Sequence, residues 1–136
     1  MNRPVRVLFV CVENANRSQM AEAFARMLGG DRVEAWSAGS RPSGVVNPKA
    51  VAAMRELGYD LAAHGSKSLA DLPHEEFDLV ATMGCGDSCP QVRAVRRANW
   101  TIPDPKHLPD DEFRGVRDLI RERVRAVLID LGITVA

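Results

Sequence analysis

The sequence VRVLFV at residues 5–10 runs directly into CVENANRS at residues 11–18. The first stretch is nearly continuous in apolar character and rich in β-branched residues, which predicts a strand buried on both faces of a parallel sheet. The second stretch leads into residues 18–28, where apolar side chains recur at helical spacing before Gly29 and Gly30 end the pattern. The sequence therefore predicts a strand, a loop and a helix, which together form the first unit of an α/β fold.

Strands and helices continue to alternate along the rest of the chain. Residues 33–38 and 77–83 predict two further strands, and residues 98–102 predict a weaker fourth. Asn47 and Pro48 predict the start of a second helix, which Gly58 ends, and the pattern of residues 113–131 predicts a long final helix. We therefore expect a single domain, residues 1–136, with a doubly wound parallel sheet that binds its ligand beyond the carboxyl ends of the strands.

The composition restricts the partners of the protein. Eighteen basic residues balance eighteen acidic ones, so no global charge favours nucleic acid or an anionic membrane. The apolar run near the amino terminus is only about six residues long, too short for a secretory signal or a membrane span. We expect a cytoplasmic protein whose three cysteines are thiols available for chemistry.

The segment from Cys11 to Ser18 places five residues between a cysteine and an arginine. Successive backbone N–H groups in such a loop can converge on one centre at the start of the helix, and Arg17 can close the cradle with a bidentate fork, an arrangement that suits a phosphate-sized anion. The positive electrostatic potential of these N–H groups and of Arg17, together with the Ser18 hydroxyl, favours a thiolate at Cys11. Asn14 can brace the loop through side-chain hydrogen bonds to the backbone. The predicted oxyanion-binding residues are Val12, Glu13, Asn14, Ala15, Asn16, Arg17 and Ser18.

Asp104 lies between Pro103 and Pro105, just after the predicted fourth strand. The chain can return from there over the loop at Cys11, and the two prolines stiffen the backbone, so Asp104 can protonate a leaving oxygen. Taken alone, the segment also fits an ordinary turn aspartate.

Cys85 and Cys89 follow the predicted third strand. If that strand neighbours the first, Cys85 lies just past a strand end beside the strand of Cys11, and the two sulfurs come within reach of each other. Cys85 and Cys89 are too far apart in a regular helix to form a disulfide, so a bonding pair needs a deformed segment, which the flanking glycines and Pro90 permit. The alternative is two incidental loop cysteines.

The residues VLFVC at 7–11, Asn14 and RSQMAEAF at 17–24 closely resemble the phosphate-binding loop of low-molecular-weight protein tyrosine phosphatases and their arsenate reductase relatives. Shorter matches extend the resemblance over nearly the whole chain: SAG at 37–39, NP at 47–48, SK at 66–67 and DP at 104–105. The resemblance implies a four-stranded parallel sheet of strand order 2-1-3-4, flanked by helices. It also implies that Cys11 is the nucleophile, Arg17 the oxyanion binder and Asp104 the general acid.

Arsenate reductases of this family that use thioredoxin carry a redox pair after the third strand, which is the place of Cys85 and Cys89 in this sequence. The resemblance implies that the Cys11 thiolate attacks arsenate and that Cys85 then attacks the Cys11–arsenic adduct and releases arsenite. Cys89 would resolve the Cys11–Cys85 disulfide. The implied partners are arsenate or a phosphate-like oxyanion as substrate and thioredoxin or a low-molecular-weight thiol as reductant.

Two other functions remain open at this point. A phosphatase would use Cys11, Arg17 and Asp104 on phosphotyrosine or a small phosphate ester, but Lys106 and His107 stand where phosphatases often carry the aromatic residues of a phosphotyrosine slot. A non-catalytic protein would hold arsenite or another soft metal with its three cysteines.

The remaining polar residues predict no metal site and no cofactor. Glu22 and Ser37 match positions where some relatives hold a potassium ion, but Lys67 falls near that place and its ammonium group can supply the positive charge. Histidines in polar segments are usually surface residues, and we predict this for His64, His74 and His107.

Overall fold

The computed structural model describes residues 3–72, 76–84 and 92–135. The predicted redox pair, Cys85 and Cys89, and His74 lie outside the described residues. The strands are β1 (Val5–Cys11), β2 (Val33–Gly39), β3 (Phe77–Thr82) and β4 (Ala94–Asn99). The α-helices are α1 (Arg17–Gly29), α2 (Pro48–Arg55) and α3 (Asp110–Asp130), and the short 3-10 helices are Gly30–Arg32, Leu61–Ala63 and Leu69–Asp71.

The four strands form one parallel sheet of order β2-β1-β3-β4, which confirms the predicted topology. Cys11 pairs with Gly39 on one side of β1, and Val10 pairs with Thr82 on the other. Because all four strands run in the same direction, their carboxyl ends meet at one edge of the sheet. This edge is the place where parallel sheets bind ligands.

Strand β1 is buried on both of its faces, as its continuous apolar sequence predicts. Val7 and Phe9 point into the larger of two apolar clusters, to which α1, α2 and α3 all contribute. Leu8 and Val10 point into a smaller cluster on the opposite face, where Leu72 follows the 3-10 helix Leu69–Asp71. Each fully buried large side chain contributes about 1.5–3 kcal/mol, so burial on two sides anchors β1 and the loop that leaves it.

The helix ends follow from local chemistry. Asn47 caps α2 by accepting a hydrogen bond from the Lys49 backbone N–H at 3.0 Å, and Pro48 occupies the first turn, as predicted. The helix ends at Arg55, before Gly58, which adopts a positive φ of 84°. Helix α3 begins three residues earlier than predicted, because the acidic side chains of residues 110–112 occupy its first turn, where the helix dipole favours negative charge.

The predicted position of the fourth strand is wrong. Strand β4 spans Ala94–Asn99, and Trp100 and Ile102, which suggested a later strand, follow it and pack into the larger apolar cluster. An edge strand borders a single neighbour and exposes much of its length, and here Arg96 and Arg97 are exposed. A strand of this kind lacks the apolar run that marks a central parallel strand, so its sequence does not reveal it.

Gly39 brings the end of β2 against the loop that follows β1. A β-carbon at this position would lie 2.5 Å from the Val12 carbonyl oxygen and 2.9 Å from the Asn14 backbone nitrogen. These are backbone atoms, which cannot rotate away as the end of a side chain can. The absence of a side chain at Gly39 is therefore a condition for the loop to take its conformation.

Replacing Gly39 by alanine should lower the free energy of unfolding by about 1–3 kcal/mol, the usual effect of overpacking a rigid region. The matched control is Gly115→Ala in α3, where no described heavy atom lies within 4 Å of the added methyl group. The control should raise the free energy of unfolding by about 0.5–1 kcal/mol, because alanine restricts the unfolded chain. Urea unfolding followed by circular dichroism measures both, and equal effects would contradict a tight contact at Gly39.

Candidate active site

The loop of residues 12–16, between β1 and α1, turns its backbone carbonyl groups outward. Every carbonyl from residue 11 to residue 16 accepts a hydrogen bond, from the backbone N–H groups of Met20, Ser40, Arg41, Ser43 and Asn47 and from the side chain of Gln19. In the part of the chain that the structure describes, the N–H groups of residues 13–17 have no hydrogen-bond partner. Asn14 adopts a positive φ of 51° within this loop. Unpaired N–H groups at the start of a helix form an anion-binding site.

Cys11 ends β1 and lies at the base of this loop, where it is 3% exposed. Its sulfur is 2.8 Å from the Ser18 hydroxyl oxygen, and that oxygen accepts a hydrogen bond from the Asn14 side-chain amide at 2.8 Å. Because Ser18 accepts from Asn14, its own hydrogen is free to point at the sulfur. The hydroxyl is therefore oriented to donate to the Cys11 sulfur.

Arg17 lies in the first turn of α1, and its side chain is only 11% exposed. Its guanidinium donates a hydrogen bond to the Ile102 carbonyl at 3.1 Å and lies 3.9 Å from the Asp104 carboxylate. Gly84, at a φ of 80°, packs against it so closely that a β-carbon would lie 2.5 Å from the nearest guanidinium nitrogen. The end of β3 and the segment after β4 thus hold this cation beside Cys11.

A small cavity of about 180 Å³ opens over the loop. Its lining residues are Cys11, Val12, Glu13, Ala15, Asn16, Arg17 and Asp104. This volume is below the range of about 300–1,000 Å³ that drug-sized ligands occupy, so it suits a small ion better than an extended molecule. Asp104 stands at the rim, with its side chain 55% exposed and one carboxylate oxygen accepting a hydrogen bond from the Lys106 backbone N–H at 3.1 Å.

A second cavity of about 310 Å³ adjoins the first and shares Glu13, Ala15 and Asn16 with it. An ion pair stands at the boundary, since the Lys106 ammonium contacts the two Glu13 carboxylate oxygens at 3.1 and 3.2 Å. This pair connects the segment after Asp104 to the oxyanion loop. Glu13 lines both cavities, and Lys106 lines the larger one.

Glu22 is a buried carboxylate on the helix α1, 3% exposed, and it faces several positive or donor groups. The Ser37 hydroxyl donates to it at 2.6 Å, Arg26 pairs with it at 3.0 Å, and the Lys67 ammonium lies 3.8 Å away. A lysine ammonium therefore lies beside Glu22 and Ser37, the two residues that match the potassium position of some relatives. The absence of a required metal stays a prediction.

The prediction that His64 is a surface residue is wrong. Its side chain is only 9% exposed, and its ring bonds to the Tyr59 hydroxyl at 2.6 Å and the Gln19 side-chain oxygen at 2.9 Å. Burial lowers the pKa of His64, and Arg26 lowers it further, against the opposing effect of Glu22. His107 is exposed, as predicted.

Gln19 is a site residue that the sequence analysis did not identify. It is fully buried and donates to the Asn14 carbonyl oxygen at 3.0 Å and to the Asn14 side-chain oxygen at 2.8 Å. The sequence does contain a sign of its role: Gln19 is a polar residue on the inward side of an amphipathic helix, directly after Arg17 and Ser18. A polar residue in that position needs buried partners, and the loop supplies them.

Comparisons with known proteins place the chain in one family. The profile of the low molecular weight phosphotyrosine protein phosphatase family matches residues 6–135. Arsenate reductase 2 of Staphylococcus epidermidis is 36% identical over 124 residues, which cover 88% of this chain and 93% of that protein.

Two solved structures extend the comparison to the fold. An arsenate reductase in the phosphate-binding state superposes with a TM-score of 0.85 at 33% identity, covering 93% of this chain and 98% of the other. A thioredoxin-dependent arsenate reductase of Corynebacterium glutamicum has a TM-score of 0.75 at 30% identity, covering 97% of this chain and 64% of the other. No helix among the described residues is long and apolar enough to cross a membrane. From its sequence match and its fold, the chain belongs to the low-molecular-weight phosphotyrosine protein phosphatase family.

Proposed function

We propose that this protein is an arsenate reductase, an enzyme that converts arsenate to arsenite, and that residues 1–136 form its single catalytic domain. The observation that carries the proposal is the small cavity beside Cys11 and Arg17. The loop N–H groups of residues 13–17, which have no partner among the described residues, lie at the same place. A tetrahedral oxyanion matches this set of donors in size and charge. Relatives named as arsenate reductases, of which this chain covers 93% and 98%, support arsenate as that oxyanion.

The first step uses the residues of the cavity. The Cys11 thiolate attacks arsenic and forms a sulfur–arsenic bond, while the bond from arsenic to one arsenate hydroxyl group breaks and that group leaves as water after taking a proton from Asp104. The loop N–H groups and Arg17 bind the remaining oxygens and stabilise the negative charge that builds up on them. Asp104 suits this role because it stands at the exposed rim, where a leaving oxygen has access to water.

The second and third steps use Cys85 and Cys89, which follow Gly84 in the sequence. The Cys85 thiolate attacks the Cys11 sulfur, a disulfide forms, and the electron pair of the sulfur–arsenic bond goes to arsenic, which leaves as arsenite. Cys89 then attacks Cys85, which frees Cys11 and forms the Cys85–Cys89 disulfide. Two thiols have lost two electrons, and arsenic has gained them. The contact between Gly84 and Arg17 supports this sequence, because it brings the end of β3 to the cavity.

We further propose that thioredoxin, or else a low-molecular-weight thiol, reduces the resulting disulfide. The thioredoxin-dependent relative of Corynebacterium glutamicum supports thioredoxin as the first choice. The mechanism requires three free thiols at the start of each cycle, and a reducing compartment maintains them. This requirement supports a cytoplasmic location.

The ion pair between Glu13 and Lys106 favours arsenate over an aryl phosphate ester. Phosphotyrosine needs space for its ring beside the oxyanion cavity, and the pair stands where the small cavity meets the adjoining one. Lys106 is also unable to stack on a phenyl ring as an aromatic side chain would. The surroundings of the cavity therefore suit a free oxyanion.

Arsenate-dependent NADPH oxidation, coupled through thioredoxin and thioredoxin reductase, tests the proposed cycle. We expect turnover by the wild type and its loss in Cys11→Ser, Cys85→Ser and Cys89→Ser, since each thiol has a separate step. Hydrolysis of p-nitrophenyl phosphate by the same proteins is the control. It should be lost in Cys11→Ser and persist in the other two, because ester hydrolysis needs no disulfide.

Two results would contradict the proposal. Brisk ester hydrolysis, with no arsenate turnover by any thiol donor, would make the protein a phosphatase. Binding of arsenite without turnover of either substrate would make it a non-catalytic binding protein. Replacing thioredoxin by glutathione and glutaredoxin in the coupled assay identifies the donor.

Lys106→Ala should raise the ratio of p-nitrophenyl phosphate hydrolysis to arsenate reduction, because removal of the lysine side chain makes room for the phenyl ring beside the small cavity. The expected increase is only about two- to fivefold, because an exposed ion pair contributes little energy. The measurement is the quotient of the two kcat/KM values. Arg114→Ala, which breaks an ion pair of similar exposure with Glu56 at a distance from the cavity, is the control and should leave the quotient unchanged. An unchanged quotient in Lys106→Ala would show that the pair does not select the substrate.

A further inference from the structure

A continuous series of hydrogen bonds leads from the Tyr59 hydroxyl to the Cys11 sulfur. The successive links are Tyr59 to His64 at 2.6 Å, His64 to Gln19 at 2.9 Å, Gln19 to Asn14 at 2.8 Å, Asn14 to Ser18 at 2.8 Å and Ser18 to Cys11 at 2.8 Å. Three of the four residues between the two ends are fully buried: Gln19, Asn14 and Ser18. We call this series the Tyr59–Cys11 chain.

Backbone groups fix the orientation of both amides in the chain. The Asn14 side-chain oxygen accepts a hydrogen bond from the Lys67 backbone N–H at 2.7 Å, so the amide nitrogen of Asn14 must face Ser18. The Gln19 side-chain nitrogen donates to the Gly65 carbonyl oxygen at 2.9 Å, so the amide oxygen of Gln19 must face His64. Reversing either amide would oppose two donors or two acceptors.

The neighbours of His64 fix its tautomer. Its Nδ1 atom faces the Gln19 side-chain oxygen at 2.9 Å and the Glu22 carboxylate at 3.5 Å, which are both acceptors, so Nδ1 carries a hydrogen. Burial lowers the pKa of His64 and so favours the neutral ring, although Glu22 and Asp60 oppose this. In the neutral ring Nε2 is an acceptor, and Tyr59 must donate to it. Burial also raises the pKa of Tyr59, so the phenol keeps its proton.

Every link of the chain therefore donates in the same direction, toward the sulfur. Hydrogen bonds aligned in this way polarise one another, and each strengthens the next in a buried environment. The last link is the Ser18 hydroxyl, whose hydrogen has no other acceptor among the described residues. The donor that faces Cys11 is thus oriented by groups outside the oxyanion cavity.

We propose that Tyr59, His64 and Gln19 are positioning residues that hold the Ser18 hydrogen on the Cys11 sulfur and so stabilise its thiolate. The inference rests on Cys11 as the nucleophile of the proposed function. It assigns a role in reactivity to residues that do not line the oxyanion cavity. Tyr59 is the starting donor, and removal of its hydroxyl alone interrupts the alignment.

Alkylation of Cys11 by iodoacetamide as a function of pH tests the proposal without arsenate. Cys85→Ser/Cys89→Ser is the background, because it leaves Cys11 as the only thiol of a chain with three cysteines. We expect Tyr59→Phe to move the midpoint of alkylation to higher pH and to slow alkylation at mildly acidic pH about two- to fivefold. The charged groups that share the cavity, Glu13, Arg17 and Asp104, are the same in every variant.

A double variant distinguishes a series of donors from independent structural effects. His64→Leu should slow alkylation at least as much as Tyr59→Phe does. Once His64 is absent, Tyr59 has no path to Cys11, so the double variant should react like His64→Leu alone. The control is Trp36→Phe, which removes a hydrogen bond to Glu34 on the opposite face of the sheet and should react like the background protein.

Three results would overturn the proposal. Unchanged alkylation midpoints with lowered melting temperatures would assign the chain a structural role only. If the effects of Tyr59→Phe and His64→Leu on the alkylation of Cys11 add up in the double variant, the two residues do not act through one series of hydrogen bonds. If His64→Leu does not fold, an unchanged midpoint in Tyr59→Phe is sufficient to overturn it. Loss of the proposed function would show separately, as absent arsenate turnover by the unmodified sequence.

Discussion

The outward hydrogen bonds of the loop after β1 are the constraint on which the rest of the site depends. Each carbonyl from residue 11 to residue 16 has a donor, and most of these donors belong to the segment after β2 or to α1. A single such bond contributes only about 0.5–1.5 kcal/mol, but several of them together hold one conformation of the loop. They also offset the strain of Asn14, whose left-handed backbone costs of order 1 kcal/mol. With the carbonyls occupied outside, the N–H groups are left for an anion.

The site is built from buried polar groups inside an apolar fold. Ser18 and Gln19 are fully buried in α1, and Glu22 follows them one turn later, although the same helix packs Met20 and Phe24 into the core. Buried polar groups that lack partners are costly, so this arrangement requires the loop, Ser37 and His64 to lie where they do. These hydrogen bonds therefore specify one position of α1 relative to the loop. A shift of the helix by one residue would leave several of these groups without hydrogen bonds.

Sequence reasoning identified the central part of the fold because that part carries strong local signals. Strand β1 is buried on both faces and so is apolar throughout, and Asn47 and Pro48 mark the start of α2 by their own chemistry. Strand β4 lies at an edge, and because its polar residues are exposed, its sequence lacks the apolar run of a buried strand. His64 gave no signal, because its partners are not its neighbours in the sequence: Gln19 belongs to α1, and Tyr59 lies five residues earlier.

Spacing along the chain is enough to identify the central part of the site. Cys11, five intervening residues and Arg17 stand between a strand and a helix, and this order alone indicates an oxyanion loop. The surroundings of that loop depend on residues distant in the sequence, which only the folded chain brings together. Arg17 donates a hydrogen bond to the Ile102 carbonyl, 85 residues away in the sequence, and Lys106 donates to Glu13, 93 residues away. Local preferences act over a few residues, whereas contacts of this separation depend on how the sheet and helices pack, which a single sequence does not reveal.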